Sequence, residues 1–203
     1  MMKNSLRLTA VFVALWFGLL SNTRADAIPY PASGAEDSTQ YTFTATTTGE
    51  IGAYFYNQSA SYTNTLSLLV NGVITPESSA GVLNNHTSSI GDFVSLGFVH
   101  AGDVLTFQLN VITTGNTLYS DSTLNADGVN HVYSTSFSGD TAHGIPTGTY
   151  VGFEDIYGGG DFDYNDETFV FTNISAVPEP ETYAMLLAGL GLIILTVRRS
   201  RIA

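Results

Sequence analysis

The sequence predicts an all-β protein with one antiparallel β-sandwich or jelly-roll-like domain, and three observations support this. Between residues 41 and 175, short runs rich in Thr, Val, Tyr and Phe alternate with turn residues. Within the same range, apolar residues do not recur at the helical spacing of three to four positions. The chain contains 12 Phe, 11 Tyr and Cys 0, so burial of side chains, not disulfide bonds, must stabilise it. The alternative is a single sheet closed on itself.

The expected strands follow one another at close spacing, with Gly, Asn or Asp between them. Asn71-Gly72 stands between apolar flanks, which is typical of a two-residue hairpin, and Asp127-Gly128 marks a second turn. About eight to ten short strands of this kind favour a sandwich. In chain order the strands are expected at residues 42–47, 50–57, 66–75, 93–99, 103–112, 129–137, 150–157 and 167–174.

The N-terminal segment, residues 1–27, is predicted to be a secretory signal peptide. Lys3 and Arg7 precede an apolar run over residues 8–20, and Ala25-Asp26-Ala27 supplies a small-residue cleavage pattern. The apolar run is shorter than the ~20 residues that a membrane-spanning helix needs. Residues 28–40 contain Pro, Ser and acids and are expected to form a flexible lead-in. The β-domain is then expected over residues 41–176.

The C-terminus carries a second apolar run, residues 183–197, followed by a basic tail over residues 198–203. As a helix this run would extend about 23 Å, somewhat less than the ~30 Å hydrocarbon core. The arginines after it can make up the difference by snorkelling. We therefore expect a transmembrane helix with both chain ends in the cytoplasm. The basic residues of the tail are Arg198, Arg199 and Arg201.

A short motif, Val177-Pro178-Glu179-Pro180, stands directly before this apolar run. The order of motif, apolar helix and basic tail at the chain terminus resembles the PEP-CTERM sorting signal of Gram-negative bacteria, over residues 177–203. The resemblance implies a transient anchor in the inner membrane, cleavage by an exosortase near the motif, and delivery to the periplasm, cell surface or extracellular matrix. It also implies a bacterium that makes extracellular polysaccharide. The two prolines favour an extended, accessible peptide at this point.

Charge is distributed unevenly along the chain. The formal net charge is -12, which argues against a nucleic-acid partner, since phosphates need a basic surface. Residues 28–177 contain no Lys or Arg, because all the basic residues lie at the two ends. Carboxylates crowded together in this range must therefore reach solvent, take up protons or bind a cation from outside.

Acids are concentrated in one stretch, residues 152–169. The run Gly158–Gly160 permits a tight turn with positive φ. Asp161, Asp163 and Asn165 are two positions apart, so an extended backbone would direct their oxygens to one side. Carboxylate and carbonyl oxygens are the ligands of Ca²⁺, which takes six to eight of them. The predicted Ca²⁺ ligands are Glu154, Asp155, Asp161, Asp163, Asn165 and Asp166.

Two alternatives to this Ca²⁺ site are open. The spacing resembles the start of an EF-hand loop, but Asp166 stands where that loop has Gly and no flanking helices are expected, so the site would be of another type. The stretch is otherwise a solvated acidic turn between two strands. Mg²⁺ is less suitable than Ca²⁺ because it demands stricter geometry. His131 is a further candidate ligand, although a single His in a strand more often has an ordinary partner.

The same stretch resembles an uncharacterised bacterial surface domain that is common in PEP-CTERM proteins and large adhesins. The residues that carry the resemblance are Gly-Phe-Glu-Asp at 152–155, Gly-Gly-Gly-Asp at 158–161, Asp-Tyr-Asn-Asp at 163–166 and, upstream, residues 127–131. The resemblance covers about residues 90–174 and leaves 41–89 unassigned. It implies a β-sandwich and Ca²⁺ bound by the acids of the stretch, and it implies no enzymatic activity.

Three functions are therefore considered, and the first is a non-catalytic exported surface or matrix protein stabilised by Ca²⁺ and associated with extracellular polysaccharide or biofilm. The second is a carbohydrate-binding module in which tyrosines stack on sugar rings. The third is a polysaccharide-active enzyme, with Glu154 and Asp163 as an acid–base pair, although acids crowded into one turn suit a metal better. The candidate stacking residues are Tyr54, Tyr56, Tyr62, Tyr119 and Tyr133.

Overall fold

A computed structural model of the protein describes residues 27–31 and 33–178. The predicted signal peptide, apart from its last residue, lies outside the described residues, as do Glu179 and Pro180 of the sorting motif. The predicted transmembrane helix over residues 183–197 and the arginines of the tail also lie outside them. Within the described part of the chain, no helix has the length and apolar character needed to cross a membrane.

The described residues fold into eleven strands, all paired antiparallel, which confirms the predicted all-β class. The predicted hairpin at Asn71-Gly72 is present, and both turn residues have positive φ, at 49° and 81°. A single turn of 3-10 helix covers Ser122–Leu124. The strands are β1 (Tyr41–Ala45), β2 (Gly49–Gln58), β3 (Asn64–Val70), β4 (Val73–Ile74), β5 (Phe93–Val99), β6 (Val104–Val111), β7 (Asn116–Tyr119), β8 (Val132–Phe137), β9 (Gly148–Phe153), β10 (Glu167–Thr172) and β11 (Ile174–Pro178).

The strands form two sheets that pack face to face. The first sheet has the order β11-β1-β6-β3-β4, with β7 also paired to β6, and the second has the order β5-β2-β10-β9-β8. Phe107 of the first sheet stacks on Phe171 of the second, with ring centroids 4.0 Å apart. One buried cluster contains side chains from both sheets, as alternating inward residues require. The fold is therefore a two-layer sandwich and not a single closed sheet.

The start of the sorting motif belongs to the folded domain. Strand β11 pairs with β1 as far as the pair Pro178 and Tyr41. Because β11 lies at the edge of its sheet, the missing N–H of Pro178 costs no ladder hydrogen bond. The domain boundary expected at residue 176 thus falls within a strand that continues for two further residues.

The expected flexible lead-in, residues 28–40, makes specific contacts in the structure. The N–H of Asp37 donates a hydrogen bond of 2.8 Å to the hydroxyl of Tyr164. The N–H of Gly34 donates to the backbone carbonyl oxygen of Asp161, at 2.6 Å. The lead-in therefore lies against the same acidic stretch that the sequence singles out.

Candidate metal centre

The acidic loop, residues 154–166, joins the end of β9 to the start of β10. Because β9 and β10 are paired neighbours, the loop leaves and re-enters the second sheet at the same end of the sandwich. The loop curls instead of running extended. A positive φ is held by Gly158, Gly159, Gly160, Phe162 and Tyr164. For Phe and Tyr this conformation costs about 1–2 kcal/mol each, so tertiary contacts must hold the loop in it.

Three of the predicted ligands meet inside this curl. One carboxylate oxygen from each of Glu154, Asp161 and Asp163 lies within 4.8 Å of the other two. Glu154 is fully buried, Asp163 is half-buried and Asp161 is exposed, so the group runs from the interior to the surface. The backbone achieves this convergence by curling, not by the extended geometry that the alternate spacing predicted.

Glu154 has one satisfied and one unsatisfied carboxylate oxygen. Its Oε1 accepts a hydrogen bond of 2.5 Å from the N–H of Tyr164. Its Oε2 is buried and has no hydrogen-bond partner among the described residues. Burial, with a smaller contribution from the neighbouring acids Asp166, Asp161 and Asp163, raises the pKa of Glu154 to about 8 against the opposing effect of the Tyr164 N–H.

Gly160 closes the loop over the unsatisfied oxygen of Glu154. A Cβ at this position would stand 3.1 Å from Oε2 and 3.3 Å from Ile156, which is tighter than ordinary contact. Glycine is therefore needed here both for its φ of +57° and for the close approach of the backbone to the carboxylate. The glycine run that the sequence singled out serves this approach.

Two predicted ligands, Asp155 and Asp166, lie outside the group of three carboxylates and have partners of their own. Oδ2 of Asp155 accepts a hydrogen bond of 2.8 Å from Nδ2 of Asn64. The N–H of Asp155 donates to Oδ2 of Asp166, at 2.9 Å. Burial, followed by repulsion from Asp155, raises the pKa of Asp166 to about 7 despite that N–H donor. These residues are therefore close to the three-carboxylate group without being part of it.

The sixth predicted ligand, Asn165, supports Asp163. Its side-chain amide donates to Oδ2 of Asp163 at 2.5 Å, and its backbone N–H donates to Oδ1 at 3.2 Å. These two bonds fix the orientation of the Asp163 carboxylate. Asn165 is thus placed to orient the carboxylate of Asp163.

Asp127, which is not among the ligands predicted from the sequence, holds the acidic loop in place by hydrogen bonds. Its Oδ2 accepts hydrogen bonds from the N–H of Gly158, at 2.8 Å, and from Nε2 of His131, at 2.9 Å. Burial alone would raise the pKa of Asp127, but these bonds outweigh it and lower the pKa. The other ring nitrogen of His131 contacts the carbonyl oxygen of Glu154, at 3.1 Å. Since both ring nitrogens are engaged, His131 positions the loop and is not a free ligand.

Two comparisons identify parts of the chain. Residues 74–173 match the family described as a domain of unknown function (DUF4114), and residues 176–201 match the PEP-CTERM protein-sorting motif. Both resemblances noted in the sequence are confirmed, and the first begins earlier than residue 90. The sorting motif implies export, processing by an exosortase and sorting to the envelope of a Gram-negative bacterium. No curated protein and no solved structure matches the chain.

Proposed function

We propose that this chain is a non-catalytic, exported surface protein whose β-sandwich is closed at one end by bound Ca²⁺. The sorting motif supports export and exosortase processing. One observation supports the ion above all others. Glu154 buries a carboxylate oxygen with no hydrogen-bond partner in the described part of the chain, and that carboxylate lies in the group with Asp161 and Asp163.

The electrostatics of the group favour a cation. Two unit charges about 5 Å apart repel by ~3 kcal/mol at an effective dielectric constant of 20. Residues 28–177 contain no Lys or Arg to offset this repulsion. A divalent cation between the carboxylates turns each repulsion into an attraction and gives Oε2 of Glu154 a partner.

The donor set suits Ca²⁺ better than other metals. All three side chains offer oxygen, and the nearby imidazole of His131 is already engaged at both nitrogens. Ca²⁺ accepts six to eight oxygens in flexible geometry, whereas Mg²⁺ demands a near-ideal octahedron. An irregular, curled loop meets the first requirement more readily. We expect a dissociation constant of ~10⁻⁴–10⁻³ M, the range of extracellular modules.

The same geometry supports a non-catalytic role. Paired glycosidase carboxylates stand roughly 5–9.5 Å apart, with space between them for the sugar or a water molecule. Here the oxygens of Glu154, Asp161 and Asp163 lie within 4.8 Å of one another. Glu154 is 0% exposed, so a sugar ring has no access to it.

Association with extracellular polysaccharide is a second part of the proposal, and the sorting signal supports it. The tyrosines suggested for sugar stacking are only partly exposed, and Tyr56 packs edge-on against Phe137 and Tyr150. Aromatic stacking is therefore not the mechanism we favour. Retention of the full chain by the polysaccharide of an exosortase-bearing bacterium, with and without Ca²⁺, tests this part. Equal passage of the chain and an unrelated acidic protein would contradict it.

Calorimetric melting of the full-length chain in detergent tests the ion. After removal of metals with EDTA, Ca²⁺ at 100 times its dissociation constant is expected to add ~2.7 kcal/mol. For a chain of this size that gain raises the melting temperature by about 5–10 °C. The double change Asp161→Asn with Asp163→Asn should reduce the gain, whereas Glu50→Gln on an exposed strand position should retain it in full. An unchanged midpoint at ~100 mM Ca²⁺, 100 times the upper end of the expected dissociation constants, would refute the proposal.

A further inference from the structure

A second set of unsatisfied oxygens lies at the same end of the sandwich. In the described residues, the buried side-chain atoms without a hydrogen-bond partner include Oδ1 of Asn64 and both carboxylate oxygens of Glu167. Both side chains are 0% exposed. Neither residue belongs to the group formed by Glu154, Asp161 and Asp163. A buried polar atom without a partner costs about 1–3 kcal/mol, and more if it is charged.

The two residues come from opposite layers of the fold. Asn64 begins β3 in the first sheet, where it pairs with Val111. Glu167 begins β10 in the second sheet, where it pairs with Phe153 and Gln58. Their positions at strand starts place them where the two layers meet the acidic loop.

Asp155 links these two side chains. It is 2% exposed, and its Oδ2 accepts the 2.8 Å hydrogen bond from the Asn64 amide. It also lies beside the start of β10, because its N–H donates a hydrogen bond of 2.9 Å to Oδ2 of Asp166, the residue directly before Glu167. The Asn64 amide is therefore held against one carboxylate, and a second carboxylate lies within electrostatic range.

Protonation alone would not satisfy the buried carboxyl group of Glu167. A neutral carboxyl group would lose the charge, but its hydroxyl would then be a buried donor that needs an acceptor. Neither oxygen of Glu167 has a partner in the residues that the structure describes. A cation satisfies both oxygens and the amide oxygen of Asn64 together, and it removes the repulsion from Asp155.

From these contacts we propose a second divalent-cation site, with Asn64 Oδ1, a carboxylate oxygen of Asp155 and the carboxylate of Glu167 as ligands. Its all-oxygen donor set again suits Ca²⁺. A surface pocket lined by Asp155, Asp161 and Asp166 gives an ion a route from solvent. The bound ion would join the first sheet, through Asn64, to the second, through Glu167. This site goes beyond the proposed function and does not depend on the three-carboxylate group.

Equilibrium dialysis of the full-length chain in detergent with radioactive Ca²⁺ tests the site. Two ions per chain are expected for the natural sequence, and Glu167→Gln should reduce the number to one. The double change Asp161→Asn with Asp163→Asn should also leave one, and the three changes together none. Glu50→Gln should retain two. If Glu167→Gln leaves the number of bound ions unchanged, the second site is refuted. If Glu167→Gln lowers the number but the double change leaves it unchanged, the proposed function fails and the second site stands.

A second measurement separates ligation from a purely structural role of Glu167. Glu167→Gln preserves the shape of the side chain and removes its ability to carry a negative charge, so the variant should fold in EDTA but fail to bind the second ion. Hydrogen exchange at the start of β3 and β10 should slow on addition of Ca²⁺ in the natural protein but not in the variant. Equal slowing in both proteins would overturn the proposal.

Discussion

The acidic loop, residues 154–166, differs from two other turns that carry an acid, at Asp103 and at Asp140, which we call the outer turns. The pKa values of the carboxyl groups are raised in the loop and lowered in the outer turns. In the turn at Asp103, the carboxylate accepts hydrogen bonds from the N–H of His100, at 2.7 Å, and from Nδ2 of Asn71, at 2.9 Å. These bonds lower its pKa. In the acidic loop, burial instead raises the pKa of Glu154 and Asp166.

The second outer turn, at Asp140, resembles the turn at Asp103, because local donors again bind the carboxylate. Asp140 accepts hydrogen bonds from Nδ1 of His143, at 2.6 Å, and from the N–H of Ala142, at 3.0 Å. The contact with His143 is the main cause of its lowered pKa. Each of these turns thus supplies local donors to its acid, and among the described residues neither Asp103 nor Asp140 has a buried oxygen without a partner. The acidic loop supplies a donor for only one of the two Glu154 oxygens, so the interpretation as an acidic turn that needs no cation fits Asp103 and Asp140 but not the loop.

The largest effect expected from this difference is on the pH dependence of stability without metal. The folded pKa of Glu154, about 8, lies above its ordinary value of 4.5, and that of Asp166, about 7, lies above 3.8. The folded state therefore holds protons that the unfolded state releases, so stability falls as pH rises from about 4 to about 8. In the outer turns the lowered pKa values act in the opposite direction, and their contribution is lost only as pH falls below about 4.

Melting temperatures between pH 4 and pH 9, in EDTA and in millimolar Ca²⁺, measure this effect. The EDTA series should decline steadily across the window. The Ca²⁺ series should not decline, because a metal ligand must be ionised and binding therefore strengthens with pH. Two parallel series would show that the loop behaves like the outer turns.

Much of the fold follows from local sequence signals. Strand-forming runs, the Asn71-Gly72 hairpin and the absence of helical spacing are properties of neighbouring residues, and the structure confirms them. The family match at residues 74–173 omits β2, although β2 lies between β5 and β10 in the second sheet. Pairing across the sheet, which depends on distant residues, places that strand.

The candidate site could be predicted only where its residues are close in sequence. Glu154, Asp161 and Asp163 stand within one short loop, so their density is visible in the chain. Asn64 contacts Asp155 across 91 positions, and no local pattern indicates that contact. The curl of the loop also escapes local rules, because tertiary contacts hold Phe162 and Tyr164 in a conformation that their side chains disfavour.

The next effect in size comes from Gly152 in β9, which lies directly beneath the acidic loop. A Cβ at this position would overlap the backbone carbonyl oxygen of Tyr164. Gly152→Ala should therefore displace the loop and destabilise the protein by about 3 kcal/mol, the upper range for overpacking. The matched change at the outer turn is Gly102→Ala, where no atom lies within 4 Å but φ is +87°. That change should cost only ~1 kcal/mol, from backbone strain.

Denaturant unfolding of both alanine variants measures the two costs, and Ca²⁺ titration separates their consequences. Gly152→Ala should also weaken Ca²⁺ binding, since Tyr164 donates its N–H to Glu154. Gly102→Ala should leave the binding constant unchanged. Equal losses of stability in the two variants would mean that the loop is free to move away from β9, which would remove the physical basis for a preformed site.

The smallest effect is expected at Asp127, where one carboxylate oxygen holds both Gly158 and His131. Asp127→Asn replaces one carboxylate oxygen by an NH₂ group, so either the N–H of Val129, which donates to Oδ1, or the two donors at Oδ2 lose their acceptor. We therefore expect a loss of ~1 kcal/mol in stability and a several-fold weaker affinity for Ca²⁺. Asp121→Asn is the matched control, because Asp121 caps the 3-10 turn by accepting from the N–H of Thr123 and Asn caps as well as Asp. Isothermal titration of both variants distinguishes support of the loop from a general effect of charge. If each variant loses the same affinity, net charge alone governs Ca²⁺ binding; if only Asp127→Asn does, the contact with Gly158 holds the loop in its binding shape.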